Sequence, residues 1–299
     1  MDPFQPITLE NIEQLRPYIQ NQSFRSCDYT IGAIFQWRAY LHTTYALVDG
    51  MLVMRAEYPG EGDYYCYPVG GGNMDAALHT IEEDARENGR ALIFCAVPAE
   101  GVEVLRARYG THCVAEEHRD WADYVYNLRD LIDFPGKKYH TQRNHLNHFL
   151  KEYPDARLVP VTEETMPAAK RFLAEYEKHV PLDKVIEAEE MLRSRELLAD
   201  ALRLGLSAAY LETGEEIIAL SIGEVVGDTL YVHVEKARVD YMGAYQAIVS
   251  LFAAYAAQPD TAYINREDDS GEEGLRYSKL AYRPVMMTDK YWVTVDRVQ

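Results

Sequence analysis

The sequence is short of positive charge, of paired cysteines and of long apolar runs, and each shortage removes a class of protein. Over 299 residues, 30 Lys and Arg stand against 48 Asp and Glu, a formal net charge of −18. Such a surface repels nucleic acid, CoA phosphates and anionic lipid at long range, so a polyanionic partner needs a local basic patch. The four cysteines, Cys27, Cys66, Cys95 and Cys113, contain no Cys-x-x-Cys pair, which argues against a zinc knuckle or a disulfide framework. Cys66 and Cys95 sit in apolar, strand-like runs and read as buried thiols. No run approaches the roughly eighteen apolar residues of a membrane span. The start, Met1-Asp2-Pro3-Phe4-Gln5-Pro6, lacks the charged and apolar regions of a leader, so a cytoplasmic protein is expected. With 47% hydrophobic residues, the chain has material for one large or two ordinary domains.

What is present is an order of elements that occurs twice. In the first half, residues 44–48 and 51–58 read as strands around an Asp49-Gly50 turn, and 63–68 as a third strand. Asn73 is placed to cap a helix carrying Ala77, Leu78, Ile81 and Ala85 and stopped by Gly89. An apolar strand over 91–97, a short helix ended by Gly110 and further strand over 111–128 follow. In the second half, 206–211, 216–226 and 229–236 repeat the three strands, preceded by helices over 162–179 and 184–204. A helix over 244–257, a strand over 261–264, a helix over 271–281 and a strand over 284–295 complete it. This predicts an α/β (α+β) protein with a mixed, mostly antiparallel sheet flanked by helices in each domain. The order resembles the GNAT-type acyltransferase fold written in tandem, with domains over 1–130 and 131–299.

From Phe134 to Lys151 there is no acidic residue, whereas Lys137, Lys138, His140, Arg143, His145, His148 and Lys151 are all there. On a helix over 137–152, Tyr139, Leu146, Phe149, Leu150 and Tyr153 share an apolar face. His140, Asn144, Asn147 and Lys151 share another. This is the basic patch the composition demands, and Gly136-Lys137-Lys138 adds a small phosphate site. A solvated helix whose cations pair with neighbouring acids remains the alternative. His145, His148 and Glu152 have helical spacing for a metal but no further Cys or acidic ligand nearby, so no metal is expected.

Asp123-Tyr124-Val125-Tyr126, the run Lys137-Lys138-Tyr139-His140-Thr141-Gln142-Arg143-Asn144, Asn265-Arg266-Glu267-Asp268 and Lys279-Leu280-Ala281-Tyr282-Arg283-Pro284 together resemble the phosphatidylglycerol lysyltransferase C-terminal domain family. The likeness covers nearly the whole chain. It implies a tandem GNAT-like fold, found in stand-alone members and in relatives that transfer lysine from lysyl-tRNA to phosphatidylglycerol behind a multi-span membrane region. No such region is present in this sequence, so the acceptor, a small molecule or a lipid, stays open. The family's basic run commonly reads Lys-Arg-Asn, and here it is Gln142-Arg143-Asn144.

Acyl transfer to an amine or hydroxyl needs a base, donors for the oxyanion and an acid for the leaving group. The resemblance implies a pyrophosphate-holding loop at 234–244. There Asp240 replaces the usual Arg or Gln, Gly243 is kept, and Arg238 compensates in part. An aminoacyl-tRNA donor is thus favoured over acyl-CoA, with tRNA meeting the basic helix through Lys137, Lys138, Arg143 and Asn144. The GNAT ending points to Tyr277 as acid, a phenol with an ordinary pKa near ~10. Glu235 and Glu267 are the expected catalytic carboxylates, and Asn265, Arg266, Asp268, Arg276, Lys279 and Tyr282 the substrate-binding set, at the exit of a buried strand where open sheets bind ligands. The structural alternatives are pairing of Glu235 with Lys236 or Arg238, and a capping role for Asp268. The glycine cluster at 70–72 reads as a tight turn and cap, Tyr64, Tyr65 and Tyr67 as packing, and the first half as catalytically degenerate. A non-catalytic ligand-binding or regulatory protein of the same fold is the second reading.

Overall fold

Asp49 and Gly50 both take positive φ (44° and 81°), the twist that joins two antiparallel strands through a two-residue turn. The computed structural model describes residues 3–20, 22–60, 62–179 and 185–296, so Met1 and Asp2 of the start and Lys184 of an expected helix lie outside the described residues. Strands β1 (Thr44–Val48), β2 (Met51–Tyr58) and β3 (Gly62–Cys66) form the first meander. Helix α1 (Met74–Glu87) follows, its first turn capped by Asn73, whose side chain accepts from the Ala76 amide. Its buried stripe of Ala77, Leu78, Ile81 and Ala85 covers a core that includes Val53, Tyr65, Phe94 and Val97. Then come β4 (Leu92–Val97), α2 (Ala99–Tyr109) and β5 (Cys113–Glu117).

The next elements are β6 (Asp123–Asn127), α3 (His140–Glu152), β7 (Arg157–Pro160), α4 (Met166–Glu177) and α5 (Val185–Asp200). A second meander, β8 (Ser207–Thr213), β9 (Glu216–Val226) and β10 (Thr229–Ala237), turns at Gly214 and Gly227. Helix α6 (Ala244–Ala256), β11 (Tyr263–Asn265), α7 (Glu273–Ala281), β12 (Met286–Thr288) and β13 (Tyr291–Val295) end the chain. The expected mixed α/β architecture is present, with the same order of meander, helix, strand and helix in each of two sheets. One sheet runs β1-β2-β3-β4-β13-β5, with the two-residue strands Gln5–Pro6 and Val69–Gly70 added on β1 and β2, and the other runs β12-β6-β11-β10-β9-β8-β7. Each sheet contains a parallel pair beside antiparallel ones: β3 with β4, and β10 with β11.

The chain does not divide once. The first compact unit comprises the residues up to Asp123, Asp268–Glu273 and those from Met287 onward; the second comprises Tyr124–Glu267 and Gly274–Met286. The expected single boundary at 130/131 therefore differs from the contact pattern in three segments, 124–130, 268–273 and the residues from Met287 onward. Hydrogen bonding is the cause. β13 has antiparallel ladders on both edges, with β4 and β5, so the last strand completes the first sheet. β6 pairs antiparallel with β11 in the second sheet. The strand expected over 111–128 is accordingly broken by a 3-10 turn at Arg119–Trp121, and that over 284–295 is split into β12 and β13.

Candidate active site

In the second unit, β10 and β11 pair in parallel only as far as Tyr231 opposite Asn265, and beyond that point the two strands part. A β-bulge marks the same place on the other edge of β10. Ile222 lies opposite Val234 and Gly223 opposite Val232, which leaves His233 as the extra residue. A side chain at Gly223 would put its Cβ 2.2 Å from the Tyr231 carbonyl oxygen, so the bulge requires glycine there. Open sheets gather ligands where such strands end, and polar groups gather here.

His233 is buried and held at both ring nitrogens. Nδ1 lies 2.8 Å from Glu267 Oε1 and Nε2 lies 3.1 Å from Glu224 Oε1. Burial opposes the imidazolium, but the two carboxylates outweigh it and raise the pKa to about 9. The ring is therefore a cation at neutral pH and serves as a proton donor or positive charge, not as a base. Nothing in the sequence patterning singled it out. The available signal was a histidine in the otherwise apolar Leu230-Tyr231-Val232-His233-Val234 with Glu224 on the preceding strand.

Arg266 leaves β11 directly into the gap between the strands. Its Nε donates to Glu235 Oε2 at 3.0 Å and its Nη2 donates to the same carboxylate. The guanidinium carbon sits 4.6 Å from the Tyr282 ring centre and 6.0 Å from that of Tyr126. Both partners of this ion pair are about nine-tenths buried, with side-chain exposures of 10% and 11%. Burial opposes the Arg266 charge, and Glu235, Tyr126 and Tyr282 more than restore it. The third nitrogen, Nη1, is buried without a hydrogen-bond partner among the described residues, as is the hydroxyl of Ser221. Ser221 is the residue directly opposite Glu235 on β9, so the two side chains share one face of the sheet. Two open donors thus flank one carboxylate.

The remaining candidates differ in burial and partners. Asn265 is fully buried, and its Oδ1 accepts from the Glu267 amide at 2.7 Å, shaping the turn that puts Glu267 at φ 57°. Lys279 donates from Nζ to the Arg266 carbonyl at 2.6 Å, and Tyr126 donates to the Lys279 carbonyl at 2.9 Å. Lys279 therefore fixes the exit loop. Tyr282 is buried, accepts from Gln246 Nε2 at 3.1 Å, and has its phenol pKa pushed by burial to about 12. Tyr277 is 80% exposed, because it lies on the outer face of α7. Arg276 is half-buried on the same helix. Asp268 belongs to the first unit, where Ser270 donates to its Oδ1 from both amide and hydroxyl. The expected cluster 265–276 is thus divided between the units, with Arg266 and Glu267 in the second and Asp268 in the first.

The basic helix is also partly committed. Lys138 pairs with Asp130 at 2.9 Å, and Arg143 donates to the carbonyls of Phe134 and Gly136 at 2.6 and 2.8 Å. Asn144 lies 3.3 Å from the His140 ring. Gln142, where the family commonly has lysine, is buried and donates to the Ala281 carbonyl at 2.8 Å. Lys137, His140, His148 and Lys151 stay exposed, as does Leu150, which the spacing assigned to the apolar face. In the loop before α6, Arg238 is bound by Asp240 (2.5 Å) and Glu216 (2.7 Å), so it does not offer a free cation to a phosphate. Gly243, at φ 89°, is required by packing: a Cβ there would lie 2.3 Å from the His145 carbonyl oxygen.

In the first unit, Cys27, Asp123 and Asp268 bring metal-type ligand atoms within 4.8 Å of one another. The Lys290 ammonium stands among them, 2.7 Å from both Asp123 and Asp28. Burial opposes its charge and the two aspartates overcome that, holding Lys290 protonated, so the cluster already contains its cation.

A repeated meander with a helix after it and a parallel pair that parts make up a tandem GNAT-like fold. The chain belongs to the family described as phosphatidylglycerol lysyltransferase, C-terminal, whose model matches residues 21–294. It is similar to a conserved protein of unknown function from Bacteroides thetaiotaomicron, with 32% identity, 99% of this chain and 100% of that one covered, and a TM-score of 0.93. It shares the fold of L-PGS from Bacillus licheniformis at 15% identity, with 99% and 94% covered and a TM-score of 0.68. An uncharacterised protein of Mycoplasmoides gallisepticum is 24% identical over 196 residues, 65% of this chain and 62% of that protein. The match thus spans less than two thirds of that curated relative. Among the described residues, no helix is long and apolar enough to cross a membrane.

Proposed function

We propose that the second unit transfers an acyl group, and specifically an aminoacyl group, at the opening between β10 and β11. The observation that carries this is Arg266. One side of its guanidinium is anchored by Glu235, while Nη1 is buried and open beside the open hydroxyl of Ser221. Two fixed donors in a site shielded from water suit the carbonyl oxygen of an ester as it becomes an oxyanion. Glu235 suits the ammonium of an aminoacyl group. The buried phenol of Tyr282, rather than the exposed Tyr277, is the candidate acid for the leaving oxygen, and the imidazolium of His233 adds positive charge near the strand exit.

An aminoacyl-tRNA is favoured over acyl-CoA as donor. Asp240 and the engaged Arg238 leave the loop before α6 poorly suited to a pyrophosphate, and the exposed Lys137, His140, His148 and Lys151 offer a separate surface for phosphates. Glu267, held by His233, serves to keep that ring charged. The acceptor is a small molecule or a lipid bearing an amine or hydroxyl.

The test is transfer from radiolabelled aminoacyl-tRNA, with labelled acetyl-CoA in parallel, to a panel of amines, hydroxy compounds and phosphatidylglycerol vesicles. Aminoacyl transfer that falls at least a hundredfold in Arg266→Lys is expected. Saturable ligand binding without turnover from either donor would instead establish the second reading, a binding protein. The engaged Arg238 favours that alternative over a CoA enzyme.

A further inference from the structure

We propose that Cys66 and Cys95 form a thiol modification site, closed to an intramolecular disulfide by exchange with a low-molecular-weight disulfide. In the first unit, β3 and β4 pair in parallel at only two positions, Tyr65 opposite Phe94 and Cys66 opposite Cys95. The cysteines are thus the last rung of the ladder, the place that Tyr231 and Asn265 occupy in the other sheet. Partners in neighbouring strands have Cα atoms about 4.8 Å apart, inside the roughly 4.4–6.8 Å window that a disulfide spans. Their sulfurs are already 3.8 Å apart, with the Cys95 thiol donating to Cys66 Sγ. The backbone allows the remaining approach. β4 carries a bulge at this point, since Phe94 faces Val293 and Val97 faces Tyr291, and Ala96 within it has φ 50°.

The two thiols differ in the way an exchange pair requires. Cys66 is half-buried and open to a small disulfide, whereas Cys95 is only 1% exposed. The Cys66 thiolate attacks one sulfur of the reagent RSSR, forming Cys66–S–S–R and releasing RS⁻. Cys95, deprotonated, then attacks the Cys66 sulfur and expels the second RS⁻. Overall, two thiols and RSSR give one disulfide and two RSH, with both electrons passing to the reagent. The Cys95 pKa is raised by its hydrogen bond to Cys66 and by burial, so Cys66 and not Cys95 makes the first attack. The product staples the sheet where its parallel strands part. The other cysteines stand apart: Cys27 is bound to Asp123 and Lys290, and Cys113 lies on β5.

The test treats the folded, reduced chain with oxidised glutathione, quenches with N-ethylmaleimide and maps peptides without reductant. The expected result is a linked pair containing Cys66 and Cys95, with Cys27 and Cys113 alkylated after unfolding. Cys95→Ala is expected to stop at glutathione on Cys66. Alkylation of both Cys66 and Cys95, a persistent glutathione adduct in the unsubstituted chain, or linkage through Cys27 or Cys113 would overturn the proposal. The result is carried by the unsubstituted chain, so misfolding of a variant does not alter it.

Discussion

His233 Nδ1 and Glu267 Oε1 lie 2.8 Å apart at the strand exit, and this contact ties the charge of a buried ring to the turn that carries Arg266. The folded pKa of about 9 exceeds the ordinary 6.5. A raised pKa contributes stability that is fully present below the unfolded value and is lost as pH rises through the folded one. Unfolding free energy should therefore fall between pH 6.5 and about 9, by about 3 kcal/mol in order of magnitude. His233→Gln should flatten that segment of a urea-denaturation profile. An unchanged slope in the variant would mean that the ring is neutral in the folded chain.

Removing one member of the Arg266–Glu235 pair strands a buried charge. Arg266→Met should cost about 3–5 kcal/mol of stability, whereas the double variant with Glu235→Gln should recover much of it. Additive costs in the double-variant cycle would contradict the ion pair.

Tyr277 and Tyr282 make opposite predictions for catalysis. Tyr277→Phe, on an exposed helix face, should leave transfer within about twofold. Tyr282→Phe should lower kcat by about tenfold to a hundredfold if its phenol protonates the leaving group. A larger loss at Tyr277 would return the acid to the position expected from the family ending.

Lys290 neutralises Asp28 and Asp123 in the first unit. Lys290→Met should destabilise the chain by about 3–5 kcal/mol, measured by chemical denaturation. A near-native midpoint would show that the carboxylates reach solvent.

Gly243→Ala forces a Cβ towards the His145 carbonyl at a left-handed backbone position. A loss of about 2 kcal/mol or more is expected, with the melting temperature falling accordingly. A neutral effect would mean that α3 and α6 can separate without cost.

The sequence made the local elements readable because turn glycines, the Asn73 cap and apolar spacing act over a few residues. Arg266 and Glu235 were legible as charges near a strand end, but their pairing was not, since it depends on where β10 and β11 stop sharing hydrogen bonds. Along the sequence Glu235 has Lys236 and Arg238 as neighbouring cations, while its partner lies thirty-one residues on. Lys236 instead reaches Glu190 at 2.7 Å and Arg238 reaches Glu216 and Asp240. His233 was hidden for the same reason: a bulge is a property of two strands together, and alternation within one strand does not reveal it. Tyr277 follows from a motif that fixes chain position but not which side of α7 faces inward, and the structure leaves it exposed.

The position of β13 between β4 and β5 has a consequence for biosynthesis. Tyr291–Val295 is translated well after the two strands it joins, so until it emerges β4 and β5 have edges that the finished sheet covers. Exposed edges of this kind pair readily with other chains. The first sheet is thus completed only after the strands of the second meander have been made. A nonsense or frameshift lesion ahead of Tyr291 would remove a strand from inside that sheet, where two neighbours depend on it.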